Sequence, residues 1–157
     1  MAYGEPRMTQ DIDIVISNEA VTGCLDLFLE SLSQSDFIKN DQAIRNAVAS
    51  KGLFQLLDDI ELLKLDIYPR ELVEGELQRS AQLEVFEGLF LPIVSRADAA
   101  VSKLIWVSKG SHKSRRDLRR IWESCDAIER DFISKLAESM ALTRLLGEAV
   151  SEPDEIE

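Results

Sequence analysis

Residues 11–16, "DIDIVI", alternate between Ile12, Ile14 and Ile16 on one side of an extended chain and Asp11, Asp13 and Val15 on the other. A period of two predicts a strand with one apolar face and one face bearing two carboxylates. The period then changes. In "EAVTGCLDLFLESL", Val21, Leu25, Phe28, Leu29 and Leu32 recur at helical spacing. A shorter helix is predicted in "DQAIRNAVASKG", closed by Gly52. Two apolar runs follow, "LFQLLD" and "ELLKLDIYP", joined by polar residues that suit a hairpin. In the second run Leu63, Leu65 and Ile67 share one face, and Lys64, Asp66 and Tyr68 share the other. "RELVEGELQRSAQ" reads as a helix, and "LEVFEGLFLPIV" as a strand pair turning at Gly88.

From Ser95 the pattern is helical. "SRAD" has the form of a capping box, with Ser95 as N-cap and Asp98 at N3, opening a helix that carries Ala99, Val101, Leu104, Ile105 and Trp106. "KGSHKS" reads as a polar loop, "SRRD" from Ser114 as a second capping box and "DAIE" from Asp126 as a third. The last helix is expected to end near Gly147, before an acidic tail, "SEPDEIE". Mixed strands and helices followed by helices alone predict an α+β domain with a helical C-terminal part. The expected divisions are an α/β core over 1–94, a helical part of the same domain over 95–150 and the tail over 151–157.

Composition sharpens this picture. The 157 residues are 45% hydrophobic and 30% charged, as in a folded domain. The net charge of -11 argues against a surface coated in basic groups for nonspecific nucleic-acid binding. No apolar run is long enough for a membrane span, and the N-terminus lacks the apolar core of a signal peptide, so a cytoplasmic protein with no membrane partner is expected. Cys24 and Cys125 lack metal-site spacing and read as free, mostly buried thiols.

Two residues apart on a strand, Asp11 and Asp13 point the same way, roughly 7 Å apart along the chain. Asp66 has the same context: one carboxylate on the polar face of an apolar strand. If the two strands are neighbours, three anions converge, and they repel unless a cation lies between them. Magnesium, a hard ion that prefers carboxylate and phosphate oxygens, suits such a set. A pair of such ions aligns a nucleoside triphosphate with an attacking hydroxyl. The plainer reading is that these acids simply face water.

"YGEPRMTQDIDIVI" resembles the YGxxRxTxDIDI signature of nucleotidyltransferases of the DNA polymerase β superfamily, and in particular the minimal prokaryotic AbiEii-type proteins of toxin–antitoxin systems. "GLFQLLDDIELLKLDIYP" resembles the family stretch that carries the third acid. "SRADAAVSKLIWVSKGSHKSRRDLRRIW" resembles its lysine- and "rD"-bearing stretch, and "CDAIERDFISKLAESMALTRLLGEAV" its closing helices. The resemblance implies a nucleotidyltransferase-like mixed β-sheet with packed helices. It also implies transfer of a nucleotidyl group from an NTP to an RNA or protein hydroxyl, with Mg2+ or Mn2+, in a toxin–antitoxin or phage-defence setting.

By position, the resemblance places Asp11 and Asp13 on the metal-binding pair and Asp66 on the third acid, which binds metal or acts catalytically. Arg7 and Thr9 match nucleotide-side residues just before the pair. Lys103 matches a lysine near the nucleotide and Asp117 an active-site acid. Each has an ordinary structural alternative: Lys103 as a lysine snorkelling from a packed helix, Asp117 as the N3 residue of its capping box, Arg7 as a surface residue before a strand. The family also has a glycine-rich element on a helix about a dozen residues before the acid pair, where backbone N–H groups hold the triphosphate. Ten residues precede Asp11 here, and Gly4 is the one glycine among them. The expectation drawn from this is an apolar flank beside residues 1–16, covered by a partner protein or a second copy.

Residues 103–120 hold Lys103, Lys109, Lys113, Arg115, Arg116, Arg119 and Arg120 against the single acid Asp117. This local excess suits a phosphate-binding edge for a triphosphate or an RNA end, or a solvated helix face balanced by acids elsewhere. His112, the one histidine, is expected in a loop, and Trp106 and Trp122 in the core. The rival to an enzyme is a non-catalytic module of the same fold that works through protein contacts.

Overall fold

The computed structural model describes residues 11–151. Arg7 and Thr9, and the tail beyond Ser151, lie outside them. The chain is α+β and divides into two compact units, which over the described residues are 11–77 and 78–151.

The first unit contains β1 (Asp11–Val15), α1 (Asn18–Gly23), α2 (Leu25–Ser33), α3 (Asp41–Ser50), β2 (Phe54–Asp58) and β3 (Leu63–Tyr68). The sheet order is β1-β3-β2, with β1 parallel and β2 antiparallel to β3. The register places Ile12 across from Leu65, and Ile14 and Phe54 on either side of Ile67. Ile14, Leu65, Ile67, Phe54 and Leu56 form the packed inner face, while Ile12 at the start of β1 remains exposed. Val21, Leu29, Ile44, Ala47 and Val48 from the helices close over it to make the core. Fully burying one such aliphatic side chain contributes about 1.5–3 kcal/mol, so the alternation read from "DIDIVI" and "LLKLDIY" has a strong physical cause. The Asn18 amide donates to the Val48 carbonyl at 2.9 Å and ties α1 to α3.

Several boundaries differ from the sequence reading. The first helical stretch is broken at Cys24, whose backbone N–H caps α1 by donating to the Val21 carbonyl. In the closure of α3 the left-handed residue is Lys51, at φ 54°, while the Gly52 N–H donates to the Ala47 carbonyl at 2.8 Å. The hairpin from β2 to β3 is as expected, and its turn is held by Asp58, whose carboxylate accepts from the N–H groups of Ile60 and Glu61. The stretch expected to be a longer helix before residue 80 contains one turn, α4 (Glu76–Arg79). There the side chains of Glu71 and Glu76 accept from backbone N–H groups of residues 72–77 and favour turns over a continuous helix.

The second unit contains the hairpin of β4 (Ala81–Phe86) and β5 (Leu89–Ile93), with Gly88 at φ 78° in its turn as the sequence suggests. Four helices follow: α5 (Arg96–Ser108), α6 (His112–Ser124), α7 (Ala127–Ser139) and α8 (Thr143–Ser151). Ala100, Val101 and Leu104 of α5 are buried, as are Leu118 and Ile121 of α6, Ile133 and Ala137 of α7, and Leu146 and Ala149 of α8. Ser95 caps α5 and Asp126 forms a full capping box with Glu129, both as expected. The α6 start is corrected: Ser111 is its N-cap, so His112 lies in the helix and Ser114 becomes a buried first-turn residue. Ser111 competes successfully because its Oγ accepts the Ser114 N–H at 3.2 Å and donates to the Ser114 hydroxyl at 2.9 Å. The last helix continues through Gly147 to Ser151, because Leu146 and Ala149 are packed on either side of the glycine. Among the described residues, no helix is long and apolar enough to cross a membrane.

Candidate functional site

The outer face of the first unit's sheet is where the chemistry gathers. With Ile14, Leu65, Ile67, Phe54 and Leu56 turned inward, β1 presents Asp11 and Asp13, β3 presents Lys64, Asp66 and Tyr68, and β2 presents Gln55 together with the exposed Leu57. The β1–β3 register sets Asp13 directly across from Asp66 and Asp11 across from Lys64, and the β2–β3 register sets Gln55 across from Asp66. The three acids singled out in the sequence therefore occupy one face of adjacent strands.

Their charge is partly answered from within. Lys64 Nζ lies 3.3 Å from Asp11 Oδ1 and 3.3 Å from Asp66 Oδ2, bridging the two strands. Gln55 Nε2 donates to the other oxygen of Asp66, Oδ1, at 2.8 Å. The Lys64 ammonium is held above its ordinary pKa by its hydrogen bond to Asp11 first and to Asp66 second. Tyr68 is pushed up to about 12, chiefly by burial and then by the negative charges of Asp13 and Asp66, with a hydrogen bond to Asp13 adding to the shift. The face is thus an electronegative surface that favours protons and cations. Exposure falls across it: the Asp11 side chain is 50% exposed, that of Asp66 14%, and Tyr68 is buried.

The donor chemistry fits a hard divalent ion, which binds carboxylate oxygens and takes its remaining ligands from water and substrate phosphates. Among the described residues, no group of three or more histidine, cysteine, aspartate or glutamate side chains is arranged as a metal cage. One or two of the carboxylates together with phosphate oxygens is the arrangement that magnesium commonly takes.

Lys103 and Asp117 belong to the second unit, where they face each other between α5 and α6 with Lys103 Nζ 3.6 Å from Asp117 Oδ2. Asp117 is not the N3 residue of its helix once α6 begins at His112. Within the basic stretch, Arg119 Nε donates to the Ala149 carbonyl at 3.3 Å, and Lys109 Nζ sits 4.6 Å above the Trp106 ring. Arg130 covers the ring of Trp122 in the same way, at 5.4 Å. Both tryptophans, expected in the core, are half-buried under cations. Cys125 is buried, but Cys24, expected to be buried too, is exposed at the break between α1 and α2.

Sequence reasoning placed Lys64 and Tyr68 on the Asp66 face without giving them a part in the site. The signal was their spacing of two from Asp66 on either side. Gln55 could have been found from the hairpin register. A second charged centre was missed altogether: Asp98, read as a capping residue, is fully buried and accepts from Arg79 Nε at 3.0 Å, from Arg79 Nη2 at 2.7 Å and from the Ser95 hydroxyl at 2.6 Å. In comparisons with known proteins, no protein-family model and no curated protein matches this chain.

Proposed function

We propose that the chain is a nucleotidyltransferase whose reaction takes place on the outer face of the β1-β3-β2 sheet. The observation that carries the reading is the register that sets Asp13 against Asp66, with Asp11 beside them on the same face. The similarity of "RMTQDIDI" and "LLKLDIYP" to the motifs of that superfamily supports it. Asp11 and Asp13 would hold Mg2+ or Mn2+, with Asp66 completing the set. When bound, the ion supplies positive charge to the phosphate oxygens and to the developing charge on the leaving pyrophosphate.

The acceptor hydroxyl oxygen attacks the α-phosphorus of the NTP. The new P–O bond forms as the bond to pyrophosphate breaks, and its electron pair leaves with the pyrophosphate. Asp66 orients the hydroxyl and takes its proton as general base. Gln55, on one Asp66 oxygen, fixes the carboxylate so that the other faces the site. Arg7 and Thr9 are proposed nucleotide contacts. The acceptor is an RNA or a protein.

The test is incubation of the full chain with each labelled NTP, Mg2+ and either total RNA or total protein. Transfer of label by the native protein and not by Asp13→Asn supports the reading. The companion measurement is thermal: an ion bound by the native state alone raises the melting temperature. Mg2+ should therefore raise it in the native protein and much less in Asp13→Ala. Equal shifts would indicate charge screening, and equal shifts with no transfer would favour the non-catalytic module.

A further inference from the structure

We infer that Lys64 is the resident counter-cation of the carboxylate face and that a divalent ion enters the site by displacing it. The inference rests on the metal reading above and adds how that site is regulated. Lys64 is put in this position by the backbone: it stands across from Asp11 in the β1–β3 register and two residues before Asp66 on the same strand. Its ammonium lies at the same distance, 3.3 Å, from one oxygen of each. It bridges the two strands that a shared ion would bridge, and uses the Asp66 oxygen that Gln55 leaves open.

The two occupants exclude each other. An ion held by Asp11 and Asp66 would need the oxygen lone pairs that the ammonium now uses, and would bring two cations into one site. The ammonium is the one able to leave, since it sits on a flexible four-carbon stem and hydrates well in water. Its side chain is already 31% exposed. In the metal-free protein Lys64 relieves the repulsion between Asp11 and Asp66. On metal binding it swings out, so that the affinity measured is the affinity of an exchange and is lower than the carboxylates alone would give.

The full chain is titrated with Mn2+ in four forms: native, Lys64→Met, Asp13→Asn, and Lys39→Met as a control, since Lys39 pairs with Asp41 elsewhere in the same unit. In parallel, acetylation of Lys64 by an amine-reactive ester is followed by mass spectrometry in the native protein with and without Mn2+. This arm does not depend on a variant folding. The expected results are about tenfold tighter Mn2+ binding in Lys64→Met, no change in Lys39→Met, and faster acetylation of Lys64 when Mn2+ is present. Binding that weakens in Asp13→Asn but is unchanged in Lys64→Met, with Lys64 no more reactive in Mn2+, overturns the exchange and leaves the metal site standing. Absence of binding in every form, or binding indifferent to Asp13→Asn, removes the metal reading and the exchange with it.

Discussion

Asp66 of the first unit and Asp98 of the second are both aspartates set among apolar neighbours, and they are treated in opposite ways. Asp98 is completely buried and held by the Arg79 guanidinium and the Ser95 hydroxyl, while Arg79 also lies 5.1 Å over the Phe132 ring. Asp66, its side chain 14% exposed, lies on the outer sheet face and shares one flexible ammonium with Asp11. A rigid, two-pronged partner in a dry site fixes a charge permanently. A lysine at the edge of water leaves a charge exchangeable. The difference separates an acid that holds the fold from acids available to a ligand, and residue type alone does not reveal it.

The strongest way to break this contrast is to remove Arg79. Arg79→Met leaves Asp98 charged or protonated in a dry site without its main donor, and should cost about 3–5 kcal/mol in urea-induced unfolding. A loss under 1 kcal/mol would mean that Asp98 is no more a structural acid than Asp66. On the sheet face the expectation reverses. Asp66→Asn keeps a hydrogen-bond acceptor for Gln55 and reduces the repulsion with Asp13, so metal-free stability should change by less than about 1 kcal/mol. The proposed nucleotidyl transfer should fall by about a hundredfold or more. An Asp66→Asn protein that unfolds as readily as Arg79→Met would make the acid face a structural device.

Lys103 and Asp117 test the contrast from the middle, because the resemblance gives them a role in a site while the structure gives them each other. They are partly exposed, at 30% and 18%, and 3.6 Å apart. A double-mutant cycle with Lys103→Met and Asp117→Asn should therefore yield a coupling near 1 kcal/mol or below in stability. If the pair only ties α5 to α6, Lys103→Met leaves nucleotidyl transfer within about twofold of native. A much larger fall in transfer at unchanged stability would assign Lys103 to the site.

The sheet and its two chemically distinct faces were legible because Ile14 of β1 and Leu65 and Ile67 of β3 pack into the core at a period of two, although Ile12 stays exposed and Tyr68 is buried on the other face. That is why Asp11, Asp13 and Asp66 could each be put on the polar face of its strand from the sequence, with their convergence conditional on the two strands being neighbours. The parallel pairing that brings Lys64 onto Asp11 was not legible, since it joins residues more than fifty positions apart and no local pattern encodes the register. Helix starts were read correctly where one capping residue stands alone, as at Ser95 and Asp126. At Ser111 and Ser114 two serines compete three positions apart, and the winner is decided by the burial of Ser114, which is a tertiary effect. The Asp98–Arg79 pair stayed hidden because its partners come from different elements and because a carboxylate at N3 already has a sufficient local explanation.

The smallest effect concerns the two thiols, one in each unit. Cys24 is exposed, with its Sγ donating to the Ala20 carbonyl at 3.2 Å. Cys125, at the end of α6, is 6% exposed, and burial, followed by the charge of Glu129, raises its pKa above the ordinary value of 9.0. An aromatic disulfide reagent at neutral pH should therefore modify Cys24 promptly, and Cys125 only as the second unit opens. The sign of the pH effect follows from linkage. A thiol with a raised folded-state pKa binds its proton more tightly when folded, so its contribution to stability is full below about pH 9 and is lost as pH rises through the folded value. Native protein should lose stability above pH 9 more steeply than Cys125→Ala, although the alanine variant starts slightly lower because of the lost packing. Unfolding midpoints measured from pH 7 to pH 11 give the two slopes. Parallel slopes, or Cys125 modified as fast as Cys24 in the folded protein, would show that the end of α6 is open to water and that the helical unit is less sealed than its buried Asp98 indicates.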